Sequence, residues 1–126
     1  MARTKIQGPT EKELEILNVL WTKGPSTVRR VNAEISKEQQ TGYTTTLKLM
    51  QIMTEKELLV RDDSQFKHVY KPAVSKKNTQ DQIVQGILDN VFSGSAEALV
   101  MRALSTKKVS PEELENIRKL LDEMEA

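Results

Sequence analysis

Apolar residues in this chain follow a helical period first and a strand-like period afterwards, and this order restricts the possible folds. The first helix is predicted to begin at a capping box formed by Thr10 and Glu13 and to end at Gly24. A short second helix is predicted to begin near Ser26, which is a good N-cap residue. A third helix is predicted over approximately residues 44–56. Three helices therefore precede the first strand.

The period changes after the third helix. Residues 58–62 and 66–71 are rich in β-branched and aromatic side chains and are predicted to form two strands. The polar turn 63–65 joins these strands, and Pro72 ends the second one. Three helices followed by a two-stranded hairpin is the element order of a winged helix-turn-helix. In that fold the third helix enters the major groove of DNA and the hairpin lies along the flanking backbone.

The rest of the chain is predicted to be helical, after a polar linker over residues 73–79. Ser93-Gly94-Ser95 breaks this region, and Ser110, Pro111 and Glu113 mark the start of the last helix through an expected capping box. We therefore expect a mainly α protein with a small β-hairpin, in which a winged helix-turn-helix head precedes a three-helix tail.

The tail is predicted to need a second copy of itself. Its first helix carries adjacent apolar pairs every four residues, which is more apolar surface than one short neighbour covers. Segments shorter than about 40 residues seldom fold alone without a metal or disulfides, and this tail is only slightly longer and has no cysteine. We therefore expect a DNA-binding domain over residues 1–75 and a homodimerisation domain over residues 76–126. The residues predicted at the dimer interface are Ile83, Ile87, Val91, Leu99, Leu114, Ile117 and Leu121.

The charge of the chain is divided unevenly between its two parts. Residues 1–77 carry 14 Lys and Arg against 9 Asp and Glu, whereas residues 78–126 carry 5 against 9. This asymmetry indicates that the first part meets a polyanion and the second meets protein. Uneven charge is also found in proteins that bind no nucleic acid, so it supports the winged-helix interpretation without deciding it.

The third helix has two chemically different sides when it is drawn at about 100° per residue. The side expected to pack on the first two helices carries Thr46, Leu47, Met50, Met53 and Thr54. The outward side carries Thr44, Thr45, Lys48, Ile52 and Glu55. Threonine offers a hydroxyl to phosphates or base edges and a methyl group to thymine, and lysine binds phosphate or guanine. The alternative is an ordinary solvated face.

Other residues around this helix are candidates for contact with DNA. Tyr43 can stack on a sugar or donate to a phosphate, or it only packs on the surface of the head. Arg29 and Arg30 can hold the DNA backbone, or they form surface ion pairs with Glu34 or Glu38. The hairpin is basic through Arg61, Lys67, His68 and Lys71, of which His68 is interpreted as an ordinary strand residue. The predicted DNA-binding residues are Tyr43, Thr44, Thr45, Lys48, Arg29, Arg30, Arg61 and Lys67.

Catalytic and metal-binding motifs are missing from the sequence. It contains no glycine-rich phosphate loop, no nucleophile elbow, no cysteine and a single histidine. We therefore expect no enzyme activity, no metal and no cofactor. The first residues lack the apolar core of a signal peptide, and no apolar run is long enough for membrane insertion, so a cytoplasmic protein is expected.

Short segments from the first helix to the end of the hairpin carry a family resemblance. They are Glu13-Leu14-Glu15-Ile16-Leu17, Leu20-Trp21, Val28-Arg29-Arg30-Val31, Tyr43-Thr44-Thr45-Thr46, Leu58-Leu59-Val60-Arg61 and Tyr70-Lys71-Pro72. From Pro9 to Glu125 the chain resembles the penicillinase-repressor family, which includes the methicillin-resistance regulator and copper-responsive repressors. The resemblance implies a homodimeric transcriptional repressor with a winged-helix head, a three-helix dimerisation tail and palindromic operators. The alternative is a winged-helix protein-interaction module without sequence-specific DNA binding.

The sequence departs from the family pattern in four places. The Asn-Phe bond at which the best-known branch is cleaved stands here as Arg102-Ala103, so the resemblance does not extend to cleavage by that route. The C-terminal cysteine cluster of the copper branch is absent. A Gly-Arg pair in the wing appears as Gln65-Phe66, and a late basic residue of the recognition helix appears as Ile52. Neither the operator sequence nor the inducer or protease follows from the resemblance.

Overall fold

The fold follows the predicted order of elements. It is described by a computed structural model for residues 8–64 and 66–126, so the start of the predicted head and Gln65 of the predicted turn lie outside the described residues. The elements are α1 (Glu11–Lys23), α2 (Val28–Ile35), α3 (Tyr43–Glu55), β1 (Leu59–Asp62), β2 (Val69–Pro72), α4 (Lys76–Asn90), α5 (Ala96–Thr106) and α6 (Pro111–Glu125). The mainly helical fold with a small antiparallel hairpin is confirmed.

Helix α1 begins and ends at the residues that the sequence indicates. The Thr10 hydroxyl accepts from the Glu13 N–H at 3.2 Å, and the Glu13 carboxylate accepts from the Thr10 N–H at 2.9 Å. These two bonds complete the capping box. Gly24 ends the helix at φ 85°, a left-handed conformation that glycine adopts without a steric penalty. Helix α6 begins at its predicted N-cap, where the Ser110 hydroxyl accepts from the Glu113 N–H at 3.1 Å, but the described residues show no return bond from the Glu113 side chain to complete the predicted capping box.

Two sequence-based boundaries are wrong. The N-cap of α2 is Thr27, because Ser26 is buried and pairs through its own N–H and C=O with Tyr70 at 3.0 and 2.8 Å. Ser26 thus forms an isolated antiparallel β-bridge with Tyr70 of β2. The predicted linker over residues 73–79 is too long, since Ser75 accepts from the Asn78 N–H at 3.0 Å and α4 begins at Lys76.

The hairpin is shorter than predicted. Leu59 pairs with Pro72 and Asp62 with Val69, so residues 66–68, the predicted start of the second strand, lie outside it. Buried Tyr70 ties β2 to the helices, and the Trp21 indole N–H donates to the Val74 carbonyl at 3.1 Å. The hairpin is therefore fastened to the head along its second strand.

One apolar core holds α1, α2, α3 and the hairpin together. Its buried members are Ile16, Leu17, Leu20, Val28, Val31, Ile35, Met50, Met53, Leu59 and Tyr70. Each fully buried side chain of this kind stabilises a fold by about 1.5–3 kcal/mol. The head thus contains a core that is built from its own residues.

The described residues fall into two compact units, one ending at Val84 and the other beginning at Gln85. In the second unit, the turn after α4 uses Ser93 at φ 51° and Gly94 at φ 81°, and the Gly94 N–H donates to Leu88 O at 2.8 Å. No residue from 87 to 126 is buried in this single chain. None of the helices in the described ranges is long and apolar enough to span a membrane.

Candidate nucleic-acid interface

Helix α3 buries one side and exposes the other, as the wheel predicts. Thr46, Met50 and Met53 are fully buried, whereas Thr44, Thr45 and Lys48 are exposed. Leu47, Thr54 and Ile52 are half-buried at the borders between the two sides. Within the described ranges, no carboxylate forms an ion pair with the Lys48 ammonium.

A polar network sets the rotation of α3. The buried Thr46 hydroxyl accepts from the Asn32 side-chain amide at 2.8 Å, and the same amide donates to Thr41 O at 2.9 Å. Thr46 in turn donates to the Gly42 carbonyl at 3.3 Å. Because Asn32 belongs to α2, this network links the two helices through the turn between them. The exposure of Thr44, Thr45 and Lys48 is a consequence of this arrangement.

The start of α3 is open to an outside partner. Its N-cap is Gly42, which has no side chain to bind the first N–H groups. Tyr43 follows with 45% of its surface exposed, and the Arg29 guanidinium carbon lies 5.6 Å from the centre of its ring. This is a cation–π contact. It holds Arg29 beside the helix terminus, where the helix dipole also favours an anion.

Glu34 lies on the same helix as the two arginines but is held by Lys37. The Lys37 ammonium lies 3.2 Å from the Glu34 carboxylate and, by this hydrogen bond above all, lowers the pKa of Glu34. Arg30 makes only a smaller Coulombic contribution to that shift. In the part of the chain that the structure describes, neither Arg29 nor Arg30 forms the ion pair with Glu34 or Glu38 that the sequence left open.

The hairpin turn and α3 enclose a cleft of about 330 Å³. Its lining residues are Thr27, Val28, Arg29, Tyr43, Leu47, Phe66, Lys67, His68 and Tyr70. Arg29, Tyr43 and Lys67 come from three different segments, and the fold brings them to this one cleft. No acidic residue is among those that line it.

The sequence as a whole is similar to known proteins. A family described as penicillinase repressor matches residues 9–123. The chain belongs to the penicillinase repressor family. A relative named transcriptional regulator BlaI, found in two strains of Mycobacterium tuberculosis, is 29% identical over 122 residues, which cover 90% of this chain and 83% of that protein. The penicillinase repressor of Staphylococcus aureus is 20% identical over 112 residues, which cover 89% of this chain and 89% of that protein.

Arg61 stands apart from the other basic residues of this family member. Its Nε lies 2.7 Å from Asp63 Oδ1, and a second nitrogen donates to Oδ2 at 3.1 Å. The bond to Asp63, followed by one to Tyr70, raises the pKa of Arg61. Arg61 lines a separate open groove of about 690 Å³ together with residues of α3. An intramolecular carboxylate therefore competes with any phosphate for this guanidinium.

Two exposed residues were not among those predicted from the sequence to bind DNA. Gln51 lies three residues after Lys48 and is exposed on the same side of α3. A glutamine there can donate to and accept from adenine in the major groove, and its spacing of three residues from Lys48 was the signal that could have identified it. Phe66, which the sequence places in the second strand and in the departure from the family's Gly-Arg pair, lies in the hairpin turn and is 100% exposed.

The predicted interface residues of the tail differ in their exposure. Val91 and Leu121 are more than half exposed, and Ile87, Leu99, Leu114 and Ile117 are half-buried. Ile83 is half-buried and lies in the unit that ends at Val84, where a Cβ at Gly8 would lie only 2.9 Å from its side chain. Further apolar side chains of the second unit are also exposed: Val100, Met101, Leu120 and Met124.

Proposed function

We propose that this chain is a homodimeric transcriptional repressor that binds a palindromic operator through α3. Residues 1–75 form its DNA-binding domain and residues 76–126 its dimerisation domain. The observation that carries the proposal is the exposed threonine and lysine side of α3 beside a cleft without acidic residues. Membership of the penicillinase repressor family, with relatives named as a transcriptional regulator and a repressor, supports the same function.

Each DNA-binding side chain has a distinct role in this proposal. Thr44, Thr45 and Lys48 read or hold the major groove, because hydroxyls and ammonium groups match base edges and phosphates there. Tyr43 and Arg29 bind the backbone at the open N-terminus of α3. Arg30, Lys67 and, once released by Asp63, Arg61 add phosphate contacts. Gln51 extends the row of base-reading residues.

The exposed tail supports pairing of two copies. Val91 and Leu121 are 59% and 54% exposed in the single chain, and α5 and α6 have no buried residue. Pairing two such surfaces removes this apolar area from water. A two-fold dimer offers two recognition helices to half-sites about 34 Å apart or a multiple of it, so its operator is a palindrome.

The test begins with selection of bound duplexes from a pool of random sequence. Fluorescence anisotropy then measures the affinity for the selected duplex and for a random duplex over a range of salt concentrations. We expect a palindrome, a steep salt dependence, and weaker binding by Lys48→Ala with the slope reduced by about 0.9 for one lost phosphate contact. Lys108→Ala removes an exposed lysine of the tail and serves as the matched control.

Two results would contradict the proposal. Selection without any preferred palindrome would favour the protein-interaction module instead. An unchanged affinity of Lys48→Ala would remove this residue from the interface, provided that sedimentation shows the same oligomeric state as the wild type.

A further inference from the structure

Phe66 is the most exposed of the large apolar side chains in the described residues, at 100%. It lies in the turn between β1 and β2, immediately before Lys67 and His68. Single exposed apolar residues are common on protein surfaces, so exposure alone gives it no role. Its surroundings do.

The surroundings of Phe66 are positively charged on one side. It lines the same cleft as Arg29, Tyr43 and Lys67, and no carboxylate lines that cleft. The acidic residue of the turn, Asp63, binds Arg61, lies 3.7 Å from His68 Nε2 and lines the other groove, not the cleft. A partner that meets Phe66 from the cleft side therefore meets cations, which suits a polyanion better than an apolar protein surface.

We propose that Phe66 is an apolar wedge that enters the minor groove of the operator and partly unstacks one base step. The inference rests on the proposed function, because it requires α3 to occupy the neighbouring major groove. Minor-groove proteins insert phenylalanine and other apolar side chains in this way and kink the duplex by 20–90°. Lys67 and Arg29 bind the phosphates on either side of the inserted ring.

A preference for particular DNA follows from this role. Pyrimidine–purine steps such as TA and CA are the most easily unstacked. The selected palindrome is therefore expected to contain such a step in each flank, outside the bases that α3 reads. Specificity at that step arises from the cost of deformation and not from hydrogen bonds to the bases.

The experiment uses the full chain and the palindromic duplex obtained by selection, with 2-aminopurine placed at each flanking position in turn. Wild-type binding is expected to raise the fluorescence at one step, because the base loses its stacking partner. Phe66→Ala is expected to abolish that rise and to weaken binding about tenfold, as truncation of a base-stacking aromatic does. Phe66→Leu retains a wedge and is expected to keep part of both effects.

The matched control is Val60→Ala, which truncates another exposed apolar residue of the hairpin, 44% exposed in β1 and lining the other groove. It should leave affinity and fluorescence unchanged. Phe66→Ala should also leave the salt slope unchanged, since no charge is lost.

Three outcomes would overturn the inference. Equal affinity and an equal fluorescence rise in Phe66→Ala would overturn the wedge alone and leave the repressor intact. If Phe66→Ala binds more weakly but the wild type causes no fluorescence rise at any flanking position, the ring packs on the DNA backbone or on a protein surface and does not unstack a base step. A wild-type chain that selects no duplex would overturn the proposed function and the wedge together.

Discussion

Replacing Glu13 with glutamine is expected to destabilise the head more than a typical surface substitution. The Glu13 side chain is almost fully buried, with 4% of its surface exposed. One carboxylate oxygen accepts from the Thr10 N–H at 2.9 Å, and the other accepts from the Lys56 ammonium at 2.8 Å. Because Lys56 is the C-cap residue of α3, this bond joins the start of α1 to the end of the recognition helix.

The size of the effect follows from the two hydrogen bonds. Glutamine keeps an oxygen for Thr10 but loses the charge that Lys56 binds, and a hydrogen bond to a charged group is worth about 1.5–3 kcal/mol. The Lys56 side chain is 52% exposed, so water screens part of the interaction and the lower end applies. We expect a loss of about 1.5–2 kcal/mol, or about 6–16 °C in the melting temperature of a domain of this size.

The pH dependence gives a second, independent check. Burial raises the pKa of Glu13, but the hydrogen bonds and charge of Lys56 and the bonds from Thr10 outweigh it, so the pKa lies below the ordinary 4.5. A carboxylate with a lowered pKa stabilises the folded state above its unfolded pKa, and the stabilisation is lost as the pH falls through the folded value. The difference in stability between the wild type and Glu13→Gln should therefore be largest at neutral pH and shrink as the pH falls through the lowered pKa of Glu13.

Urea unfolding at one fixed protein concentration measures this difference, since association would otherwise change the apparent stability. Glu15→Gln is the matched control, because its 3.6 Å ion pair with Lys12 is on the surface and is expected to be worth less than about 0.5 kcal/mol. In a Lys56→Met background, Glu13→Gln should cost clearly less than in the wild type. A loss no larger than that of Glu15→Gln, or a difference in stability that does not shrink on acidification, would contradict this role of Glu13.

Three further predictions concern the head and the tail. Asp63→Asn is expected to release Arg61 and tighten DNA binding in the anisotropy assay, with a salt slope steeper by about 0.9; the gain should vanish in an Arg61→Ala background. Thr46→Val leaves the Asn32 amide one acceptor short and should cost about 1–2 kcal/mol in urea unfolding; full stability would disprove the network's role. Leu121→Glu should shift the chain towards monomer in sedimentation velocity, whereas an unchanged dimer dissociation constant would exclude this residue from the interface.

The parts of the fold that the sequence predicts depend on interactions between near neighbours. A capping box joins residues three positions apart, and the spacing of Thr46, Met50 and Met53 already defines the buried side of α3. The same local rule identifies the exposed Lys48. Applied one step further, it would also have found Gln51.

The features that escaped prediction depend on distant residues. Local sequence predicts Ser26 as an N-cap, but in the structure it pairs with Tyr70, which lies 44 positions away in sequence. The bond between Glu13 and Lys56 spans 43 positions, and no local pattern announces it. Arg61 is the exception, because its partner Asp63 is only two residues away and the acidic neighbour was visible in the sequence.

In the proposed dimer, the small number of base-reading residues on α3 is the reason why the exposed apolar surface of the tail matters for DNA binding. One recognition helix offers only a few base-reading side chains, and each good base contact contributes about 1–3 kcal/mol of discrimination. Specific operators are usually bound about 4–10 kcal/mol more tightly than other DNA, which is difficult to reach from one half-site. Two half-sites together provide this preference only if the paired tails hold both heads on the same duplex. The apolar surface around Val91 and Leu121 therefore contributes to operator affinity without contacting DNA.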